Sequence, residues 1–156
     1  STLHTNDSAS AATRLIDMGV EPFLVASSVV GIIAQRLVRT LCKECRERHK
    51  PTDFELTQLG IKKGSKEANQ MIYRAKGCPA CLETGYAGRT GIHEILMVDD
   101  QVRSLIMKNA GATEVKRLAM EKGMKTLREV AAEKVLNKET SIEEVLRVTQ
   151  EDVERE

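Results

Sequence analysis

Leu41-Cys42-Lys43-Glu44-Cys45, answered downstream by Gly77-Cys78-Pro79-Ala80-Cys81, is the stretch whose reading decides how this chain must fold. These four cysteines are the whole complement of the 156 residues, and each belongs to a Cys-x-x-Cys pair. One pair can place two sulfurs on one edge of a metal's shell, and two pairs complete a tetrahedron of thiolates. A soft, closed, all-sulfur shell favours zinc in a structural role. Residues 46–77, between the pairs, exceed the usual zinc-ribbon gap, so folded structure must fill the interval. Lys43, Arg46, Arg48 and Lys50 surround the first pair. Their charge favours thiolate and offsets the excess negative charge of a tetrathiolate centre. Gly77 and Pro79 suit a tight knuckle whose backbone N–H groups point at sulfur.

Two other uses of the cysteines stand beside this one. A pair of disulfides would suit a secreted protein, but no signal peptide is visible and the chain can form a core without staples. A redox Cys-x-x-Cys fits poorly with two such pairs in one small region. His49 and His93 could substitute as ligands, yet four thiolates already fill the shell, so both are expected at the surface or in ordinary packing.

The net charge of +1 gives no overall bias toward nucleic acid. With two Phe, two Tyr and no Trp, the core must come from Leu, Val, Ile, Ala and Met. The longest apolar stretch, Phe23 to Ala34, is interrupted by Ser27, Ser28 and Gly31. It is too short for a bilayer span, which needs about 20 residues. Cysteines in a reduced-looking arrangement and the lack of targeting signals point to the cytoplasm. The chain opens on Ser-Thr-Leu-His-Thr-Asn-Asp without Met, which reads as an excised fragment.

Along the chain, Ser1 to Asp7 reads as a strand end running into a polar loop. Asp7 or Ser8 caps a helix over Ala9 to Met18, with Ala12, Leu15 and Ile16 on one face and Gly19 as its stop. Pro22 opens a second helix to Val30, which Gly31 breaks. Ile32 to Leu41 alternates as a strand. Thr52 and Glu55 form a capping box for a short helix that stops at Gly60. Gly64 to Asn69 reads as loop, Met71 to Lys76 as a strand, Gly85 to Gly88 as a turn and Arg89 to Val98 as a returning strand. The last two strands are expected to form a small antiparallel element over the metal.

The remainder reads as helices. One is capped by Asp99 or Asp100, buries Val102, Leu105 and Ile106 and ends at Gly111. The next carries Val115, Leu118 and Ala119 and ends at Gly123. Two more follow capping boxes, Thr126 with Glu129 and Ser141 with Glu144. Together they are expected to make a compact bundle. The residues after Thr149 are acidic and expected to fray.

Four segments in this order resemble the hexameric ATPases of type II secretion and type IV pilus assembly. They are Ser1-Thr2-Leu3-His4-Thr5-Asn6-Asp7, similar to the family's histidine box; Met18 to Leu24 followed by Ala34-Gln35-Arg36-Leu37-Val38-Arg39; the tetracysteine element; and Gly85 to Glu94. Tyr73 to Cys78 and Leu146 to Thr149 look closer to the type II secretion ATPase than to the pilus enzyme.

The resemblance implies an α/β fold, α+β within this chain. Residues 1–41 would be the C-terminal part of a RecA-like ATPase core, residues 42–98 a tetracysteine zinc-binding subdomain with a small antiparallel sheet, and residues 99–156 a C-terminal helical subdomain. It implies structural Zn2+ on Cys42, Cys45, Cys78 and Cys81, and ATP with Mg2+ in the intact parent protein. It implies partners in neighbouring subunits of a homohexameric ring and in inner-membrane secretion or pilus platform proteins. The parent would be cytoplasmic, peripheral at the inner membrane, with no transmembrane segment and no direct nucleic acid.

His4 matches the histidine-box residue and would sense or polarise the γ-phosphate, or orient the attacking water. Thr2 and Thr5 could assist through their hydroxyls or act only in capping and turns. Arg89, on a rigid mount after a glycine turn, could reach phosphate in its own subunit or across a ring interface. Arg36 and Arg39 are expected as solvated strand-edge or salt-bridge residues. The chain departs from the family by containing no Gly-x-x-x-x-Gly-Lys-Ser/Thr loop and no apolar strand ending in an acidic pair. The fragment is therefore expected to be inactive and to bind ATP weakly.

A nucleic-acid-binding zinc module is the alternative, since Arg36 to Lys50 holds six Lys or Arg against two Glu. A protein-interaction module is a further one, but it leaves the histidine-box segment unexplained.

Overall fold

Asp7 opens the first helix, α1 (Ser8–Asp17), by accepting the Ser10 N–H at 2.8 Å. Beyond it Gly19 takes φ +90°, the left-handed stop that the sequence expects. The computed structural model describes residues 1–149, so the acidic tail expected to fray lies outside the described residues. Ser1 to Thr5 form no strand, because both ladders among the described residues are made by other segments.

Pro22 begins α2 (Pro22–Ser28). The helix stops before Gly31, since β-branched Val29 goes extended. Strand β1 (Gly31–Leu41) turns Ala34 and Val38 inward and leaves Ile33, Gln35 and Leu37 exposed. Its partner is β4 (Tyr86–Met97). Val98 N donates to Val30 O at 3.0 Å and Cys42 N to Gly85 O at 2.9 Å, so the pair is antiparallel. Tyr86 to Gly88 is therefore strand rather than turn. The turn falls earlier, at Leu82–Gly85, where Leu82 and Glu83 both take positive φ.

A second ladder joins β2 (Glu47–His49) to β3 (Ile72–Arg74), antiparallel, with Arg48 opposite Tyr73. The expected pairing of the third and fourth strands does not occur, because each finds its partner among residues upstream of the second cysteine pair. Between β2 and β3 lies α3 (Asp53–Gln58), whose capping box closes both ways: Thr52 N to Glu55 Oε2 at 2.7 Å, Glu55 N to Thr52 Oγ1 at 3.2 Å. Glu67–Asn69, expected as loop, makes a short 3-10 turn.

Helix α4 (Asp100–Met107) is capped by Asp99 and ends through Asn109 at φ +55°, not through Gly111. Gly111 instead precedes α5 (Ala112–Glu121). Helices α6 (Leu127–Leu136) and α7 (Ile142–Val148) complete the described chain.

The chain divides into two compact units, each discontinuous in sequence. The first takes Ser1–Gln35 and His93–Leu127. In it α1 packs on α5, α2 on α4, and α4 on α5. Ala9, Ala12, Val25, Ala26, Leu96, Val102, Ile106 and Val115 form its core. The second takes Arg36–Ile92 and, among the described residues, 128–149, and buries Val38, Leu41, Leu56, Ile72, Ile92, Val135 and Val145. Helices α4 and α5 thus belong to one unit, α7 and all but the first residue of α6 to the other.

Candidate metal centre and phosphate-facing residues

All four cysteines lie in the second unit and all are free thiols. The end of β1 delivers Cys42, and a turn brings Cys45 back to it. A 3-10 turn over Pro79–Cys81 presents the second pair. Every sulfur lies within 4.8 Å of the others. Cys42 Sγ is 4.0 Å from Cys78 Sγ, Cys45 Sγ is 3.8 Å from Cys81 Sγ, and Cys78 Sγ is 3.7 Å from Cys81 Sγ. A tetrahedron with Zn–S bonds of about 2.3 Å has edges of roughly 3.8 Å, so the donor set fits zinc in both chemistry and spacing.

The knuckle expected from Gly77 and Pro79 is present. Cys81 Sγ accepts N–H groups from Cys78 at 3.3 Å and Gly85 at 3.1 Å. Desolvation opposes ionisation of Cys81, but these donors outweigh it and bring the thiol down to about 6. Cys45 is pushed up to about 12 by desolvation and by the neighbouring thiols, against a donor from Gly77. Gly77 has φ +110°, and a Cβ there would meet Glu83 O at 2.7 Å. Gly85 has φ +77°, and its Cβ would lie 2.6 Å from the Ala75 Cβ. Only glycine lets the backbone close this tightly around Cys81.

The basic residues near the first pair are partly committed. Arg46 donates to Lys138 O at 2.7 Å and lies over the Tyr73 ring at 4.7 Å. His49 bonds Glu55 at 2.9 Å, and His93 is exposed; neither joins the sulfur cluster.

His4, Thr2 and Thr5 belong to the first unit. His4 and Thr2 are exposed. Thr5 Oγ1 donates to Asp7 O at 3.0 Å, a turn-closing bond. Arg89 belongs to the second unit, exposed on β4. With Leu37, Arg39 and Arg147 it lines a cavity of about 420 Å³. Arg39 and Arg147 both bond the buried Glu144, at 2.8 Å and 2.6 Å, whereas Arg89 makes no ion pair among the described residues. Sequence reasoning missed this grouping. Ser141 and Glu144 read as a capping box, and Ser141 does accept the Glu144 N–H at 3.3 Å. The carboxylate, however, turns away to the two arginines.

No helix among the described residues is long and apolar enough to cross a membrane. The family pattern described as Type II/IV secretion system protein matches residues 1–147. The type II secretion system ATPase E of Vibrio cholerae is 48% identical over 155 residues, covering 97% of this chain and 29% of that protein. A type II secretion system protein E of Pseudomonas aeruginosa is 46% identical over 152 residues, 97% of this chain and 30% of that protein. The type IV pilus assembly ATPase PilB of Thermus thermophilus is 47% identical over 145 residues, 93% of this chain and 16% of that protein. The chain thus spans less than a third of the length of these relatives. The match runs from the His4 segment through both cysteine pairs into α7 and so covers nearly all of both units, and the chain belongs to the type II/IV secretion system protein family.

Proposed function

We propose that this chain is the C-terminal portion of a hexameric cytoplasmic ATPase, peripheral at the inner membrane, that powers type II protein secretion or type IV pilus assembly. The observation that carries this reading is the run of relatives named as secretion and pilus ATPases at close to half identity over nearly the whole chain. Residues 1–41 would complete a RecA-like core, residues 42–98 would form the zinc-binding subdomain and residues 99–156 a helical subdomain. Partners would be neighbouring subunits of the ring and inner-membrane platform proteins.

Within that reading His4 faces the γ-phosphate and either polarises it or orders the attacking water. Arg89, which makes no ion pair among the described residues, stands at a cavity that already holds two guanidinium groups and supplies a phosphate contact. Thr5 has its hydroxyl proton engaged within the loop, which leaves the direct-contact role to Thr2 and His4. Zinc would be held by Cys42, Cys45, Cys78 and Cys81 and would supply a cross-link rather than chemistry, since a closed thiolate shell keeps no position for water.

The 156 residues contain no phosphate-binding loop, so the isolated chain turns over no ATP, while the full-length protein does. Phosphate release measured side by side on the two proteins tests this. Turnover by the isolated chain, or its lack in the full-length protein with Mg2+ and ATP, overturns the reading. In the full-length protein, Arg89→Ala is expected to lower kcat by about 10²-fold or more. Unchanged turnover removes Arg89 from the site.

A further inference from the structure

Glu94 is a buried carboxylate, with no exposure, that the metal site and the arginine cavity leave unused. Among the described residues its partners are all neutral donors. Oε1 accepts Ser8 N at 2.9 Å and Ser8 Oγ at 2.5 Å, and Oε2 accepts Leu127 N at 3.3 Å. Ser8 and Leu127 are the first residues of α1 and α6. Amides in the first turn of a helix have no acceptor of their own, and that end of the helix carries partial positive charge. A single carboxylate therefore terminates two helices at once.

The start of α1 is also the end of the His4 loop. Asp7 caps Ser10 N, Thr5 closes onto Asp7 O, and Lys116 reaches Asp7 Oδ2 at 3.4 Å. These bonds tie the loop to the first turn of α1, and Glu94 holds that turn at Ser8. We propose that Glu94 is a positioning residue for His4: by fixing where α1 begins, it sets where the histidine is presented to the nucleotide. The proposal rests on the reading of His4 as a phosphate-facing residue. It requires an acceptor on both oxygens. An amide offers one acceptor and turns N–H donors toward the other partner, so glutamine must abandon Ser8 or Leu127.

The test is ATP hydrolysis by the full-length protein carrying Glu94→Gln, Ser8→Ala and His4→Ala, singly and combined. Glu94→Gln is expected to lower kcat about 10-fold with KM for ATP changed less than about 2-fold, because small misplacements cost rate steeply. In the His4→Ala background the same substitution is expected to change kcat less than about 2-fold, the non-additivity of residues acting through one another. Ser8→Ala, which keeps the backbone donor, is expected to give a smaller loss with the same dependence on His4, and it decides the matter if Glu94→Gln does not fold.

Equal losses in both backgrounds, or no loss from either substitution, overturn the proposal and leave the His4 reading standing. Wild-type turnover in His4→Ala overturns the His4 reading and the proposal with it. If His4→Ala abolishes turnover, so that a second loss cannot be read in that background, the readout is the nucleotide-induced NMR shift of the His4 ring, lost in Glu94→Gln; a retained shift overturns the proposal.

Discussion

Glu144 has no side-chain exposure, yet it sits between Arg39 and Arg147 and also accepts the Arg39 backbone N–H at 2.9 Å. Desolvation would raise its pKa, but the hydrogen bonds from Arg147 and Arg39 prevail and bring it down to about 2. The unfolded carboxyl titrates near 4.5, so the native state favours the ionised form. That contribution is complete above about 4.5 and is lost as pH falls toward 2. Both arginines are partly exposed, so screening reduces the net effect to about 1–3 kcal/mol. Glu144→Gln should lower stability by that amount at neutral pH and flatten its decline between pH 4.5 and 2, as read by denaturant melts. An unaltered acid slope would show that the pair is electrostatically idle.

Gly77 is the other residue whose replacement is instructive. Gly77→Ala meets Glu83 O and a left-handed φ together, and should cost about 1–3 kcal/mol and weaken metal binding in a competition titration with a chelating dye. The glycine's role was legible, because it precedes a cysteine pair. The destination of Glu144 was legible only in part: Arg147 stands three residues on, but Arg39, which also draws the carboxylate, lies 105 residues away.

At the scale of elements, legibility follows the range of the interaction. The Thr52–Glu55 box, the Asp7 cap and the Gly19 stop are each decided within a few residues, and each stands where the sequence puts it. Thr52→Ala should accordingly lower stability by about 1 kcal/mol, seen as a drop in Tm with the fold kept. Strand partners are settled by distant segments. Glu47-Arg48-His49 has no apolar alternation to announce a strand, and it becomes one only because Ile72 to Arg74 lies opposite. Gly111 misleads for a related reason: Asn109 has already ended the helix, by taking the left-handed conformation that its short polar side chain tolerates. The alternation of β1 was legible, and it leaves Ile33 outward, as the matching alternation of β4 leaves Ile95 and Met97. Exposed apolar side chains of this kind bind hydrophobic dyes. Dye fluorescence should fall in an Ile33→Thr, Met97→Thr double variant, and unchanged fluorescence would place the dye elsewhere.

For the whole molecule, the two units have different supports. One rests on an apolar core between packed helices alone, whereas the other adds to its buried apolar residues a sulfur cluster within a segment of short elements. Removal of metal should therefore release hydrogen-exchange protection around β2, β3 and the second knuckle first, with α1, α2, α4 and α5 retaining theirs. Uniform loss across both sets would argue that the cysteines support the entire chain. Elemental analysis of the purified chain should return one zinc ion, and Cys42→Ser or Cys81→Ser should abolish it.

The interleaving of the units also has a consequence for biosynthesis. All the sulfur ligands fall in the continuous stretch Arg36–Ile92, whereas the first unit waits for residues up to Leu127 and the second for α7. As the polypeptide leaves the ribosome from its N-terminal side, the thiolates can close on an ion before either unit has all its parts. With an ion on the four sulfurs, the stretch between the pairs would be closed before α6 and α7, the last helices of its own unit, have emerged.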